Sequence, residues 1–249
     1  MIKERIDIEN IDGQLFEIKV VKPENSKPAS FTHYIHNHKN GVSQFYKKDA
    51  LAFVKEILTK EYPTDEITNK VAEEALQYLI FDLNKSVPFP APEKPKFKFI
   101  DLFAGIGGFR MALQNLGGKC VFTSEWDRYS KQTYKANFGE IPFGDITKPK
   151  TKSYIPDNYD VLCAGFPCQA FSIAGKRGGF SDIRGGLFFD LARILQVKKP
   201  RYFLFENVKG LLSHDGGKTF ATVSKTLAEL GYSFEWQVLN SKNFGVPQN

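Results

Sequence analysis

Cys168 and Glu206 are the side chains whose types and surroundings best suit covalent chemistry. Cys168 closes the segment Cys163-Ala164-Gly165-Phe166-Pro167-Cys168, directly after an apolar run that reads as a strand. Pro167 fixes the turn, so the thiol is expected on a rigid loop rather than inside the strand. Two readings stay open for it: a nucleophile, or a structural thiol. For Cys120 and Cys163, inside apolar runs, the structural reading is the better one. Glu206 ends the run Tyr202-Phe203-Leu204-Phe205. An acid there is expected to be partly desolvated, which raises its pKa and lets it hold a proton near neutrality. The alternative is a strand-end acid facing solvent. On neighbouring parallel strands, Cys168 and Glu206 meet at one sheet edge.

A second group has the spacing of a cofactor site. Gly105, Gly107 and Gly108 lie between an expected strand and an expected helix, where glycine lets backbone approach a ligand closely. The spacing G-x-G-G departs from the G-x-G-x-x-G dinucleotide fingerprint. Glu125 follows Gly105 by 20 residues, at the end of the second expected strand. An acid there can accept hydrogen bonds from both ribose hydroxyls of a nucleoside cofactor. The alternative is a tight turn beside a surface acid. Trp126 either stacks on a flat heterocycle or packs in the core, the usual fate of Trp. Asp145 either binds an adenine amino group or caps a helix, and by itself the cap is favoured.

Residues 169–186 form a long segment with five glycines and the cations Lys176, Arg177 and Arg184. Glycine hinges with basic groups suit a lid over a phosphate backbone, or a plain surface loop. His33, His36 and His38 lack nearby cysteines and a complete ligand set. They are expected to form a polar surface segment, with no metal.

These groups need elements to hold them. Strands are expected at 97–103, 120–124, 159–164, 201–205 and 234–239, with helices at 109–116, 128–138, 187–197 and 218–230. Such alternation implies an α/β fold, a mostly parallel, doubly wound sheet with helices on both faces. Four prolines mark 86–98 as a linker. Before it, residues 1–85 read as a small α+β extension. It comprises a hairpin over 5–21 turning at Asp12-Gly13, and helices at 44–60 and 66–83. In the last, Ile67, Val71, Ala75, Leu79 and Leu83 recur every four residues.

Composition narrows the class. The chain is 42% apolar and 25% charged, ordinary for a globular protein. No run of eighteen apolar residues is present, so no membrane span is expected. The charged N-terminus lacks a signal's apolar core, and three cysteines fit a reducing cytoplasm. Residues 96–249 carry 21 Lys and Arg against 13 Asp and Glu, whereas residues 1–95 carry 13 against 15. The basic surplus of the second part suits a polyanion such as nucleic acid.

Taken in order, the motifs from residue 99 to 249 resemble the C5-cytosine DNA methyltransferases. They are Asp101-Leu102-Phe103-Ala104-Gly105-Ile106-Gly107-Gly108-Phe109-Arg110, Glu125-Trp126-Asp127, Gly144-Asp145-Ile146 and Gly165-Phe166-Pro167-Cys168-Gln169. Arg184-Gly185-Gly186-Leu187-Phe188, Phe205-Glu206-Asn207-Val208 and Asn243-Phe244-Gly245-Val246-Pro247-Gln248 follow. The resemblance implies a Rossmann-like domain over 99–249 that uses S-adenosylmethionine and no metal. It implies a base flipped from double-stranded DNA, attack of Cys168 at cytosine C6, and a proton or hydrogen bond from Glu206 at N3. Phe103 and Trp126 would flank the adenine, Glu125 would hold the ribose, and Asp145 the amino group. Gly105 and Gly107 would receive the methionine part, and Pro167 and Leu187 would line the pocket. Gln169, Ser172, Lys176, Arg177 and Arg184 would meet DNA.

The family pattern continues past Gln248 into two arginines, a target-recognition region and a final helix that this sequence lacks. The chain alone is therefore expected to be inactive or nearly so. Either the chain is one subunit of a split enzyme, whose second polypeptide supplies the rest, or it is a truncated product, which a break inside a motif slightly favours. The setting expected is bacterial restriction-modification, near the nucleoid. A non-catalytic DNA-binding remnant of the fold is the alternative. An NAD-dependent oxidoreductase would need the full glycine fingerprint. A zinc deaminase would need His-x-Glu and Pro-Cys-x-x-Cys, both missing.

Overall fold

The computed structural model describes residues 5–11, 15–21, 26–63, 66–83, 87–167 and 186–246. Strands β1 (Arg5–Ile11) and β2 (Leu15–Val21) pair antiparallel, Ile11 opposite Leu15. The Asp12-Gly13 turn lies outside the described residues. Three helices follow: α1 (Ser26–His36), α2 (Ser43–Glu61) and α3 (Asn69–Leu83).

The second part alternates as its apolar runs demand. It contains β3 (Phe97–Leu102), α4 (Gly108–Asn115), β4 (Gly118–Ser124), α5 (Arg128–Phe138), the single turn α6 (Pro149–Lys152) and β5 (Val161–Gly165). Then come α7 (Leu187–Lys198), β6 (Tyr202–Glu206) and α8 (Lys218–Glu229). The strands form one parallel sheet in the order β4-β3-β5-β6. Alternate side chains of β3 point to opposite faces. Ile100 and Leu102 join α7 in one buried cluster, and Phe99 joins Leu113 of α4 in another. The sheet is thus covered on both faces, an α/β arrangement. Register sets Leu102 beside Ser124 and Ala164, and Gly165 beside Glu206. One carboxyl edge therefore collects the segments singled out above, where open parallel sheets bind ligands.

Three expectations are corrected. Residues 234–239 form no strand. They run without ladder partners, and β6 is the sheet edge. Alternating apolar residues make a strand only when another strand meets their N–H and C=O groups. In α3 the buried stripe is Ala72, Leu76 and Ile80, one position on from the expected one, and Val71 is exposed. The histidines are no surface segment: His33 and His36 belong to α1, and His33 is fully buried. Residues 87–96 are irregular but held, for the Asn137 carbonyl accepts from the Phe89 N–H and Gln114 Nε2 donates to the Phe89 and Pro90 carbonyls. The helices α1 to α3 share a buried cluster with the parallel sheet, and the Tyr46 hydroxyl of α2 donates to the Val121 carbonyl of β4 at 2.8 Å.

Candidate active site

The turn after β3 is built for close approach. Phe103 holds φ +55, unusual for a side chain of its size, and Gly105 and Gly107 hold φ +54 and +99. A Cβ at Gly105 would meet nothing within 4 Å, so the turn is open there. At Gly107 a Cβ would lie 2.1 Å from the Phe138 ring, so only glycine fits. Glu125, at the exit of β4, is buried. One carboxylate oxygen accepts from the Gly105 N–H and the other from the Asp127 N–H, both at 2.7 Å. These bonds fix the acid against the glycine turn and leave each oxygen a second lone pair.

Two more segments reach the same corner. Ser124 bridges Phe143, and the Glu125 N–H donates to the Phe143 carbonyl, so Asp145 follows beside Glu125. Asp145 accepts from the Thr147 N–H, capping a turn rather than α6, whose N-cap is Lys148. Trp126 is 68% exposed and does not pack in the core. A glycine turn, a buried acid with free lone pairs and an exposed indole fit a nucleoside cofactor such as S-adenosylmethionine.

At the other half of the edge, Gly165 and Glu206 are register neighbours. A Cβ on Gly165 would lie 3.1 Å from Glu206 Oε2, so the missing side chain makes room for the carboxylate. Asn207 Nδ2 donates to the Phe166 carbonyl at 2.7 Å and ties the two strand exits together. Pro167 follows, exposed. The desolvation expected for Glu206 is absent, because it ends an edge strand and is exposed. Leu187 opens α7, half-buried. Cys168, Gln169, Ser172, Lys176, Arg177 and Arg184 lie outside the described residues. Cys120 and Cys163 are buried, and burial pushes both thiols far up, which keeps them protonated and unreactive. No group of three or more His, Cys, Asp or Glu among the described residues is placed to hold a metal.

Behind the turn lies a buried polar network that the motif spacing does not reveal. Arg110 Nη1 donates to Glu140 Oε1 at 2.6 Å and to the Tyr134 hydroxyl at 3.0 Å. Arg110 Nε donates to Gln114 Oε1 at 2.8 Å, and the guanidinium lies over the Phe138 ring. Burial pushes the Glu140 carboxyl up, but the Arg110 guanidinium beside it, the largest opposing influence, outweighs burial and holds the group down at about 2. The available signal is the pair Arg110 and Gln114, four residues apart beside Phe109 and Leu113 on a helix face meant for the core.

Asp101, on β3 under α4, is fully buried; its carboxyl oxygens make no hydrogen bond of good geometry among the described residues, and the Arg110 backbone N–H faces them. Burial pushes its pKa to about 7, with Arg110 opposing and Glu125 adding to the rise. The proton it holds contributes stability that is whole below the unfolded value of 3.8 and lost as pH rises through 7. Asp101→Asn removes that dependence. Relative to the parent, the variant should gain roughly 2–4 kcal/mol between pH 5 and pH 8. Urea unfolding midpoints at the two pH values measure it, and a pH-independent difference would contradict the assignment.

Compared with known proteins, residues 97–249 match the sequence pattern of the family described as C-5 cytosine-specific DNA methylase. The chain is similar to the type II methyltransferase M.HpaII of Haemophilus parainfluenzae, 58% identical over 184 residues, 73% of this chain and 50% of that protein. M.HhaI of Haemophilus parahaemolyticus is 57% identical over 151 residues, 61% of this chain and 46% of that protein. M.SsoII of Shigella sonnei is 50% identical over 171 residues, 68% of this chain and 45% of that protein. The chain spans about half the length of the curated relatives it matches.

Proposed function

The chain belongs to the C-5 cytosine-specific DNA methylase family, and from that premise we propose that it carries the catalytic half of an enzyme methylating C5 of cytosine in double-stranded DNA. The observation that carries the reading is the shared edge: the matched motifs bring Gly105, Glu125, Pro167 and Glu206 to one end of one parallel sheet. S-adenosylmethionine, when bound, supplies the methyl group as an electrophile. Glu125 accepts from the ribose hydroxyls with its remaining lone pairs. Phe103 and Trp126 flank the adenine, and Asp145 takes its amino group. Gly105 and Gly107 admit the methionine part, with Pro167 and Leu187 as pocket walls.

The target cytosine leaves the duplex and enters the edge near Glu206. Cys168 is the nucleophile, for the other two cysteines are buried and held protonated. Its thiolate Sγ adds to C6, and the displaced ring electrons are received at N3 with a proton or hydrogen bond from Glu206. C5 would then take the methyl group as its bond to the cofactor sulfur breaks, leaving S-adenosylhomocysteine. Loss of the C5 proton to water, with return of the N3 proton to Glu206, would let the C6–Sγ bond break and restore the thiolate. Gln169, Ser172, Lys176, Arg177 and Arg184 hold the DNA.

The outer edge of β6 needs a cover. Tyr202, Leu204, Trp236, Val238 and Leu239 are exposed along a cleft of about 550 Å³ between β6 and residues 232–239. A patch of this kind marks an interaction site. Relatives about twice as long support it as the face on which the rest of the family's length packs, on this chain or on a second polypeptide, completing the enzyme and selecting the DNA sequence. The 249 residues alone then turn over little. The relatives' type II names support a bacterial restriction-modification role, and the proposal places it in the cytoplasm near the nucleoid. No helix among the described residues is long and apolar enough to cross a membrane.

The same uncovered edge favours a second reading, a DNA-binding remnant without turnover. Titration calorimetry separates the two. The catalytic reading expects S-adenosylmethionine to bind one per chain and Glu125→Ala to lose at least tenfold in affinity, about 1.4 kcal/mol. No binding by the parent chain would favour the remnant.

A further inference from the structure

Helix α1 lies outside the matched residues 97–249, yet it reaches the back of the cofactor corner. Its His33 is fully buried, with the imidazole packed against both Phe143 and Tyr46 at ring separations of 4.7 and 5.3 Å. The Thr123 N–H of β4 donates to His33 Nε2 at 3.2 Å, so Nε2 carries no proton. Nδ1 therefore carries it and donates to the Ala29 carbonyl at 2.9 Å. Glu140 Oε1, the acceptor of Arg110, lies 3.4 Å from the same Nε2.

Both halves of the cofactor corner rest on this cluster. Thr123 stands two residues before Glu125, and its carbonyl accepts from the Phe143 N–H, next to the bridge that leads to Asp145. On the other side, Arg110 lies over Phe138, whose ring fills the space a Cβ of Gly107 would need. We infer that α1 is a built-in brace of the cofactor site: His33 is a positioning residue that, with Glu140 and Arg110, sets the Glu125 carboxylate against the Gly105–Gly107 turn. This assigns part of the N-terminal region to cofactor binding rather than to DNA. It rests on the proposed S-adenosylmethionine site.

Two amide replacements separate positioning from bulk packing. His33→Gln keeps an oxygen able to reach the Thr123 N–H, whereas His33→Asn falls short of it. Calorimetry with S-adenosylmethionine on the full chain should show affinity within about threefold of the parent for His33→Gln and a loss of about tenfold for His33→Asn. Glu140→Gln, which keeps the shape and removes the charge, should lose a similar factor and serves if His33→Asn does not fold. Leu76→Ala, a cavity in α3 distant in sequence from this cluster, should lower the melting temperature and leave affinity unchanged. Equal affinity in His33→Asn, Glu140→Gln and the parent overturns the inference, as does an equal loss in Leu76→Ala. Failure of the parent to bind at all overturns the cofactor reading itself, a different result.

Discussion

Cys168→Ser is expected to lower methyl transfer by about 10³-fold or more while leaving S-adenosylmethionine affinity within about twofold. A serine hydroxyl is almost wholly protonated near neutral pH and adds poorly to a ring carbon, whereas a thiolate does so readily. In the proposed site most cofactor contacts come from the exits of β3 and β4, whereas Cys168 follows β5 in the sequence. The expected signature is thus a kcat collapse with an unchanged dissociation constant. Methyl transfer is read with the second polypeptide present, and binding is read by calorimetry on the chain itself. Retention of a tenth or more of the parent rate would remove Cys168 as the nucleophile. Loss of cofactor binding would mean that the substitution had disturbed the fold.

Arg110→Met should be the most damaging single change to stability among the described residues. It leaves the Glu140 carboxylate buried with its main counter-charge gone, and also strips donors from Tyr134 and Gln114. Breaking one side of a buried ion pair costs about 3–5 kcal/mol. For a chain of this length that is a fall of about 10 °C in melting temperature. The loss should be greatest above pH 5, where the unpaired carboxylate must ionise or stay protonated at a cost, and should shrink toward pH 3. The sign follows from Glu140, held at about 2 when paired: its contribution is whole above the usual value of 4.5 and is lost as pH falls through 2. Combining Arg110→Met with Glu140→Met should recover part of the loss, because removing both partners leaves no orphan charge. A double variant as unstable as the sum of the two singles would show that the groups do not act as a pair.

The sheet and its edge were legible because local signals agreed there. The β3 run, the glycine turn and the α4 helix are adjacent in sequence, and positive φ at Gly105 and Gly107 is what those glycines imply. The position of Glu125 followed from the same logic. The burial of His33 was not legible. Ser26–His36 reads as polar, and the burial of His33 depends on a donor supplied by the Thr123 N–H, ninety residues away. The Arg110–Glu140 pair is hidden for the same reason, since the two stand thirty positions apart with no periodic mark linking them. Residues 234–239 show the opposite failure. Their alternation suits a strand, but β6 ends the sheet without meeting them. Glu206 was expected to be desolvated from its apolar neighbours, but an edge strand exposes what a central one would bury.

The most direct measurement of the central claim is methyl transfer from labelled S-adenosylmethionine to unmethylated mixed-sequence duplex DNA. It is run with the purified chain alone, and again with a polypeptide matching the second half of its relatives. The DNA is then digested to nucleosides. The proposed function predicts label in 5-methylcytosine when both polypeptides are present, and little or none with the chain alone. Label on another base or another cytosine atom, or none in the reconstituted pair while the cofactor binds, would contradict it. Full incorporation by the chain alone would instead show that the exposed edge of β6 needs no cover.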